Sequence, residues 1–239
     1  GYGLDDRTEE INRAAVDAVR AVVEEAAGEG GEGVPGEDAA ATAGSRAYVS
    51  GSCGPSGRML LPYGDAEPEE VRESFARQIG ALIDAGIDVL CVETMTDLAE
   101  ARLAVEAARE ISREIPIMAT MTFDATPRGF YTIMGTDVST AADGLLKAGA
   151  DLVGSNCGNG IENMIGIARE FRQHTDAPLL IQPNAGMPVW AEGRVAYGET
   201  PEFMAEKAKE LVAIGVQVIG GCCGTTPAHT RELRRVLRT

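Results

Sequence analysis

The chain has 239 residues, 44% of them apolar, and a formal charge of −16. Such a chain suits one globular domain and excludes a nucleic-acid surface, because a phosphate backbone calls for clustered Lys and Arg. No run approaches the ~18 uninterrupted apolar residues of a membrane span, and no charged-then-apolar leader opens the sequence.

The five cysteines are odd in number and not spaced as a disulfide framework, so a reduced, cytoplasmic setting with metal-binding or catalytic thiols is expected. Exposed acidic helix faces such as "DAEPEEVRESFA" account for the charge as a solubility feature, with an acidic docking face for another module as the alternative.

The chain opens in mid-pattern at "GYGLDDRTEEINRAAVDAVRAVVEEAA", an amphipathic helix under way by Asp6, which reads as a cut end. The Gly-rich, acidic stretch 28–44, "GEGGEGVPGEDAAATAG", reads as a surface loop. A short β-branched strand, "RAYVSGS", then leads to the helix "PEEVRESFARQIGALIDAG", which stops at a glycine. The same unit recurs to the C-terminus. "IDVLCVET" leads to "DLAEARLAVEAAREIS", and "IPIMATMTF" to a helix beginning near Asp137. "DLVGSNC" leads to "IENMIGIAREFRQH", "PLLIQPN" to "PEFMAEKAKELVAIG" across a longer loop, and "VQVIGGC" to "PAHTRELRRVLR". The strands are continuous apolar runs without strict alternation, the pattern of parallel strands covered on both faces.

Six strands and seven helices in βα order imply a parallel sheet with right-handed crossovers. Ser52, Glu93, Thr122, Cys157, Asn184 and Cys222 each fall at or just past the C-terminal end of a strand. In a barrel these positions converge on one mouth, where barrel active sites lie. A doubly wound sheet would instead carry a Gly-rich phosphate turn after its first strand, and none occurs. The expected fold is therefore a (β/α)8 TIM-type barrel lacking its first two strands, with residues 1–239 forming one N-terminally incomplete domain. A true six-unit open sheet is the alternative.

"VIGGCCGTTPAHT", residues 218–230, raises the chemical question, because adjacent cysteines make a strained disulfide and are not needed for packing. Cys157 ends a strand two βα units earlier, so a barrel brings Cys157, Cys222 and Cys223 to one mouth. Three soft thiolates suit Zn²⁺, and three protein ligands leave a fourth position open to substrate. Gly220, Gly221 and Gly224 let the backbone present two consecutive side chains to one ion. Cys91, inside "VLCVE", reads as a small buried hydrophobe, and Cys53 in "GSCGP" as either packing or rim.

"GSNCGNG", "QPNAG" and "IGGCCGTTPAHTREL", with "GSCGPSGRMLLPYG" and "VLCVETMTDLAEARLAVEAARE", resemble the zinc-dependent homocysteine S-methyltransferase family. The likeness is strongest to the homocysteine-binding barrel of its cobalamin-dependent methionine synthase branch. The resemblance implies that Cys157, Cys222 and Cys223 hold Zn²⁺ and act in catalysis, homocysteine sulfur taking the fourth position. It also implies that Glu93 and Asn184 bind the amino-acid end of homocysteine. Glu93 has a second reading as a helix cap, and Ser52 and Thr122 read as structural hydrogen bonders. Two further strand-end motifs of the family have no counterpart here, in step with the two-strand deficit.

The implied reaction is methyl transfer to the homocysteine thiolate, giving methionine. Coordination removes the thiol proton, so no general acid–base pair is needed and His174 and His229 are free of catalytic duty; His229 is expected at the surface near a helix N-terminus. The chain carries no Asp-x-His-x-x-Gly stretch, so a cobalamin donor belongs to another module or a corrinoid protein. S-methylmethionine or betaine used directly is the alternative. An aromatic content of 5% leaves few residues to cage a quaternary cation, Trp190, Tyr197 and Phe123 being those available, which weakly favours the corrinoid. Two readings of other classes remain: a non-catalytic barrel with a structural zinc site, which requires a fourth protein ligand, and a thiol switch at Cys222 and Cys223.

Overall fold

The computed structural model describes residues 3–28, 47–191 and 193–237. The expected loop over 28–44 lies almost wholly outside the described residues. A 3-10 turn, Asp5–Arg7, precedes α1 (Thr8–Gly28). The βα series then runs β1 (Ser50–Cys53), α2 (Pro68–Asp84), β2 (Val89–Met95), α3 (Leu98–Ile111) and β3 (Ile117–Met121). It continues through α4 (Val138–Ala148), β6 (Leu152–Asn156), α5 (Ile161–His174), β7 (Leu179–Gln182), α6 (Pro201–Ile214), β10 (Val218–Ile219) and α7 (Pro227–Leu237). Two hairpins interrupt it after β3 and β7: β4 (Asp124–Thr126) with β5 (Gly129–Tyr131), and β8 (Val189–Ala191) with β9 (Arg194–Ala196).

Six of these strands form one parallel sheet in the order β1-β2-β3-β6-β7-β10, each neighbour following the last in sequence. That sequential order is the signature of a barrel wall, since a doubly wound sheet reverses at a switch point. The wall is part of a (β/α)8 barrel, with β1 and β10 as its open edges among the described residues. The hairpins depart from strict βα order; both extend the loops at the C-terminal end of the wall.

Local chemistry sets the helix limits. The side chain of Asp97 accepts from the Ala99 N–H at 2.8 Å, Asp137 from Thr140 N–H at 2.8 Å, and Thr200 from Phe203 N–H at 3.3 Å. Each satisfies a donor that the first helical turn leaves free. Gly149 and Gly215 end α4 and α6 in the left-handed conformation, which costs a glycine no Cβ clash.

The core lies between the sheet and its helices. Leu90, Val92, Ile117, Ala119, Val153, Leu179 and Ile181 are fully buried and belong to one cluster with Ile79, Ala104, Leu145, Ile167 and Leu211 of the helices. Phe123 meets Phe171 edge-on with ring centroids 5.9 Å apart. Cys53 is fully buried in this cluster, so it is a packing residue, and Cys91 is 4% exposed, as its apolar setting implied. No helix among the described residues is long and apolar enough to cross a membrane.

Candidate metal centre

The end of the barrel wall gathers the three thiols. Cys157 is the first residue past β6, and Cys222 and Cys223 follow β10 in a turn. Their sulfurs all lie within 4.8 Å of one another, with Cys157 Sγ and Cys223 Sγ 3.7 Å apart. Thiolates at about 2.3 Å around a tetrahedral ion stand about 3.8 Å from each other, so the cluster has the span of a zinc site. Among the described residues no fourth His, Cys, Asp or Glu joins this group. Burial pushes the Cys222 thiol up to about 12, and the nearby Cys157 adds to the effect. A cation is what such a crowd of sulfurs needs in order to ionise together.

Backbone geometry presents the sulfurs. Cys157 holds φ +60°, an uncommon conformation outside glycine, and its N–H donates to Gln182 O at 3.2 Å. Cys222 N–H donates to Pro183 O at 2.8 Å, and Thr225 returns both its N–H and its hydroxyl to Cys222 O. Of the three glycines expected to shape the turn, only Gly224 uses a positive φ, +80°. A Cβ there would also collide with the ring of Tyr197, which packs on the turn from just beyond β9. A Cβ at Gly221 would stand 2.6 Å from Thr225 Oγ1, so that position is glycine for closeness.

The other expected residues divide. Asn184 is 3% exposed and accepts from the Cys223 N–H at 3.1 Å through Oδ1, which holds the turn beside the cluster. Glu93 lies in β2 and accepts a short hydrogen bond from Ser52 Oγ of β1. It caps no helix, since Asp97 holds that position for α3. Thr122 Oγ1 donates to Asn156 O at 3.0 Å, a structural bond as expected.

Two expectations need correction. His229 is not a surface residue: it is 6% exposed, with Nδ1 against Thr226 and Nε2 3.1 Å from Glu199 O, so it ties the start of α7 to the loop before α6. Phe123 is fully buried against Phe171 and cannot line a cation cage, while Trp190 is 76% exposed on the β8–β9 hairpin.

Asn156 was not singled out by the sequence. It is fully buried, and its amide bonds Thr94, Thr120 and the sulfur of Cys222. The only local signal is its place beside Cys157; its partners are far away along the chain.

The homocysteine S-methyltransferase family model matches residues 1–237. Methionine synthases of Mycobacterium tuberculosis and Mycobacterium leprae are 34% and 33% identical over 191 residues, 78% of this chain. The chain spans 16% of the length of each of those relatives. Among solved structures, the apo form of the homocysteine methyltransferase MmuM from Escherichia coli superposes with a TM-score of 0.76 at 22% identity, over 99% of this chain and 76% of that one. Its metallated form gives 0.75 at 21%, over 98% and 72%. These superpositions establish the shared barrel wall, and the match of the family model over nearly the whole sequence places the chain in the homocysteine S-methyltransferase family.

Proposed function

We propose that the chain binds zinc through Cys157, Cys222 and Cys223 and methylates homocysteine to methionine, with methylcobalamin on another module or chain as donor. The observation that carries this is the cluster itself: three sulfurs at zinc spacing, with no fourth His, Cys, Asp or Glu beside them among the described residues. A structural zinc knot needs that fourth ligand, and a thiol switch needs only two of the three cysteines.

Bound at these residues, zinc supplies the positive charge that keeps a substrate thiol ionised at neutral pH. The chain's own groups do the rest. Asn184 has its Oδ1 committed to the Cys223 N–H, and its Nδ2 has no partner among the described residues, leaving amide donors for the substrate carboxylate. Glu93 offers a carboxylate to the substrate ammonium, and Ser52 orients it. With one end of the amino acid held and the thiol at the cluster, the sulfur is positioned for in-line attack on a methyl group. No histidine is required: His229 is occupied in holding α7, and His174 ends α5.

The methionine synthase relatives are several times longer than this chain, which supports a donor carried on other modules. Betaine or S-methylmethionine would need an aromatic enclosure, and the burial of Phe123 removes one of its three candidate walls. In the same proposal the chain is a single homocysteine-binding barrel domain. The edges of β1 and β10, unpaired among the described residues, are where two further strands would complete eight.

X-ray absorption at the zinc edge of the purified chain tests the central claim. One zinc with three sulfurs, rising to four with homocysteine, is expected; zinc already fully held by protein, or none in folded protein, overturns it. Methyl transfer from methylcobalamin but not from betaine or S-methylmethionine is the expected donor pattern.

A further inference from the structure

Asn156 is the last residue of β6 and is fully buried. A buried side-chain amide brings two N–H donors and an oxygen with two acceptor sites, and leaving any of them unmet is costly. All four are used here. Oδ1 accepts from the Thr94 N–H at 2.7 Å and from Thr120 Oγ1 at 2.6 Å. Nδ2 donates to Thr94 Oγ1 at 2.8 Å and to Cys222 Sγ at 3.8 Å.

These partners are not ordinary core groups. The register of β2 against β3 shifts between Val92 and Met95, so Glu93 and Thr94 form a bulge. Thr94 sits at φ +62°, a conformation that a β-branched residue keeps only when its surroundings enforce it. The bulge begins at Glu93, which keeps the inner face of Cys91 and bonds Ser52 there, while Met95 beyond it is turned to the helix-facing side against Met121. Asn156 satisfies the N–H that the bulge removes from the ladder and holds the Thr94 hydroxyl as well. Its remaining N–H reaches the sulfur of Cys222.

We infer that Asn156 is a positioning residue that fixes the Glu93 bulge and the Cys222 sulfur with one amide, and so sets the spacing between the two ends of the substrate site. The inference rests on the reading of the cysteine cluster as a metal site. An N–H···S bond draws electron density from a thiolate and orients it, in the way outer hydrogen bonds tune metal ligands generally. Aspartate fills the same space but has no N–H to give, and it sets a negative charge against the sulfur.

The test is cobalt substitution of the full chain, followed through the thiolate-to-cobalt charge-transfer band, in wild type, Asn156→Asp and Thr120→Val. Asn156→Asp is expected to bind one cobalt through three thiolates with the band moved to lower energy. The homocysteine concentration that half-saturates the spectral change should rise about 10-fold or more. Thr120→Val keeps both Nδ2 donors and loosens the amide at Oδ1, so its shifts run the same way and are smaller; it decides the matter if the aspartate variant does not fold. A wild-type band and a wild-type homocysteine titration in the folded variants overturn the positioning role alone. Absence of thiolate–cobalt bands in the wild type overturns the metal reading beneath it.

Discussion

The two faces of the parallel sheet are built on opposite terms. The face toward the helices is closed: Leu90, Val92, Ile117, Ala119, Val153, Leu179 and Ile181 have no exposure. The face toward the barrel interior is graded. Cys91 and Leu180 are buried without joining the main cluster, Met118 and Leu152 are half-buried, and Ser50, Ser52 and Val218 toward the edges are exposed. The polar groups of the proposed site stand on this second face or at its rim. One face secures the wall, and the other leaves room for chemistry.

Substitutions should separate the two. Phe171→Ala strikes the closed face, where a fully buried ring packs against Phe123, and is expected to cost about 3–5 kcal/mol in chemical denaturation. A loss below 1 kcal/mol would mean that the helix layer is not the source of stability.

Acidity should strike the site instead. With its pKa raised to about 12, the metal-free Cys222 thiol is protonated throughout the neutral range. Zinc uptake therefore displaces its proton, and apparent affinity rises with pH by up to about 10-fold per unit for that one thiol. Chelator competition at pH 6, 7 and 8 measures this, and a flat profile would place zinc elsewhere. The smallest change is expected from Val218→Thr on the open face, within about 0.5 kcal/mol of wild type, because that side chain is already 36% exposed. A large loss there would show the inner face to be covered in solution.

Much of this was legible in the sequence, for physical reasons. Continuous apolar strands, Asp97, Asp137 and Thr200 ahead of helices, and glycines after α4 and α6 are local signals with local causes. The thiol cluster was legible because a barrel makes strand ends meet, so Cys157 and Cys222 needed only the right strand positions. The hairpins were not legible, since three-residue strands such as Asp124–Thr126 carry too little pattern to stand out from a loop. The burial of His229 comes from Glu199 O, 30 residues away, and Asn156 reaches Thr94 across 62 residues. Neither distance leaves a mark on neighbouring residues.

The last strand has a consequence for how the chain is held together. β10 contributes only Val218 and Ile219 to the sheet, paired with Leu180 and Ile181. Beyond that ladder the unit is held by Cys222 N–H to Pro183 O, Ala185 N–H to Cys223 O and the packing of α7 on α6. A metal joining Cys157 to Cys223 would close a loop of 66 residues, and a cross-link of that size removes about 4 kcal/mol of entropy from the unfolded chain. The ion that prepares the thiol would then also fasten the fold, and chelation would leave the whole chain easier to unfold.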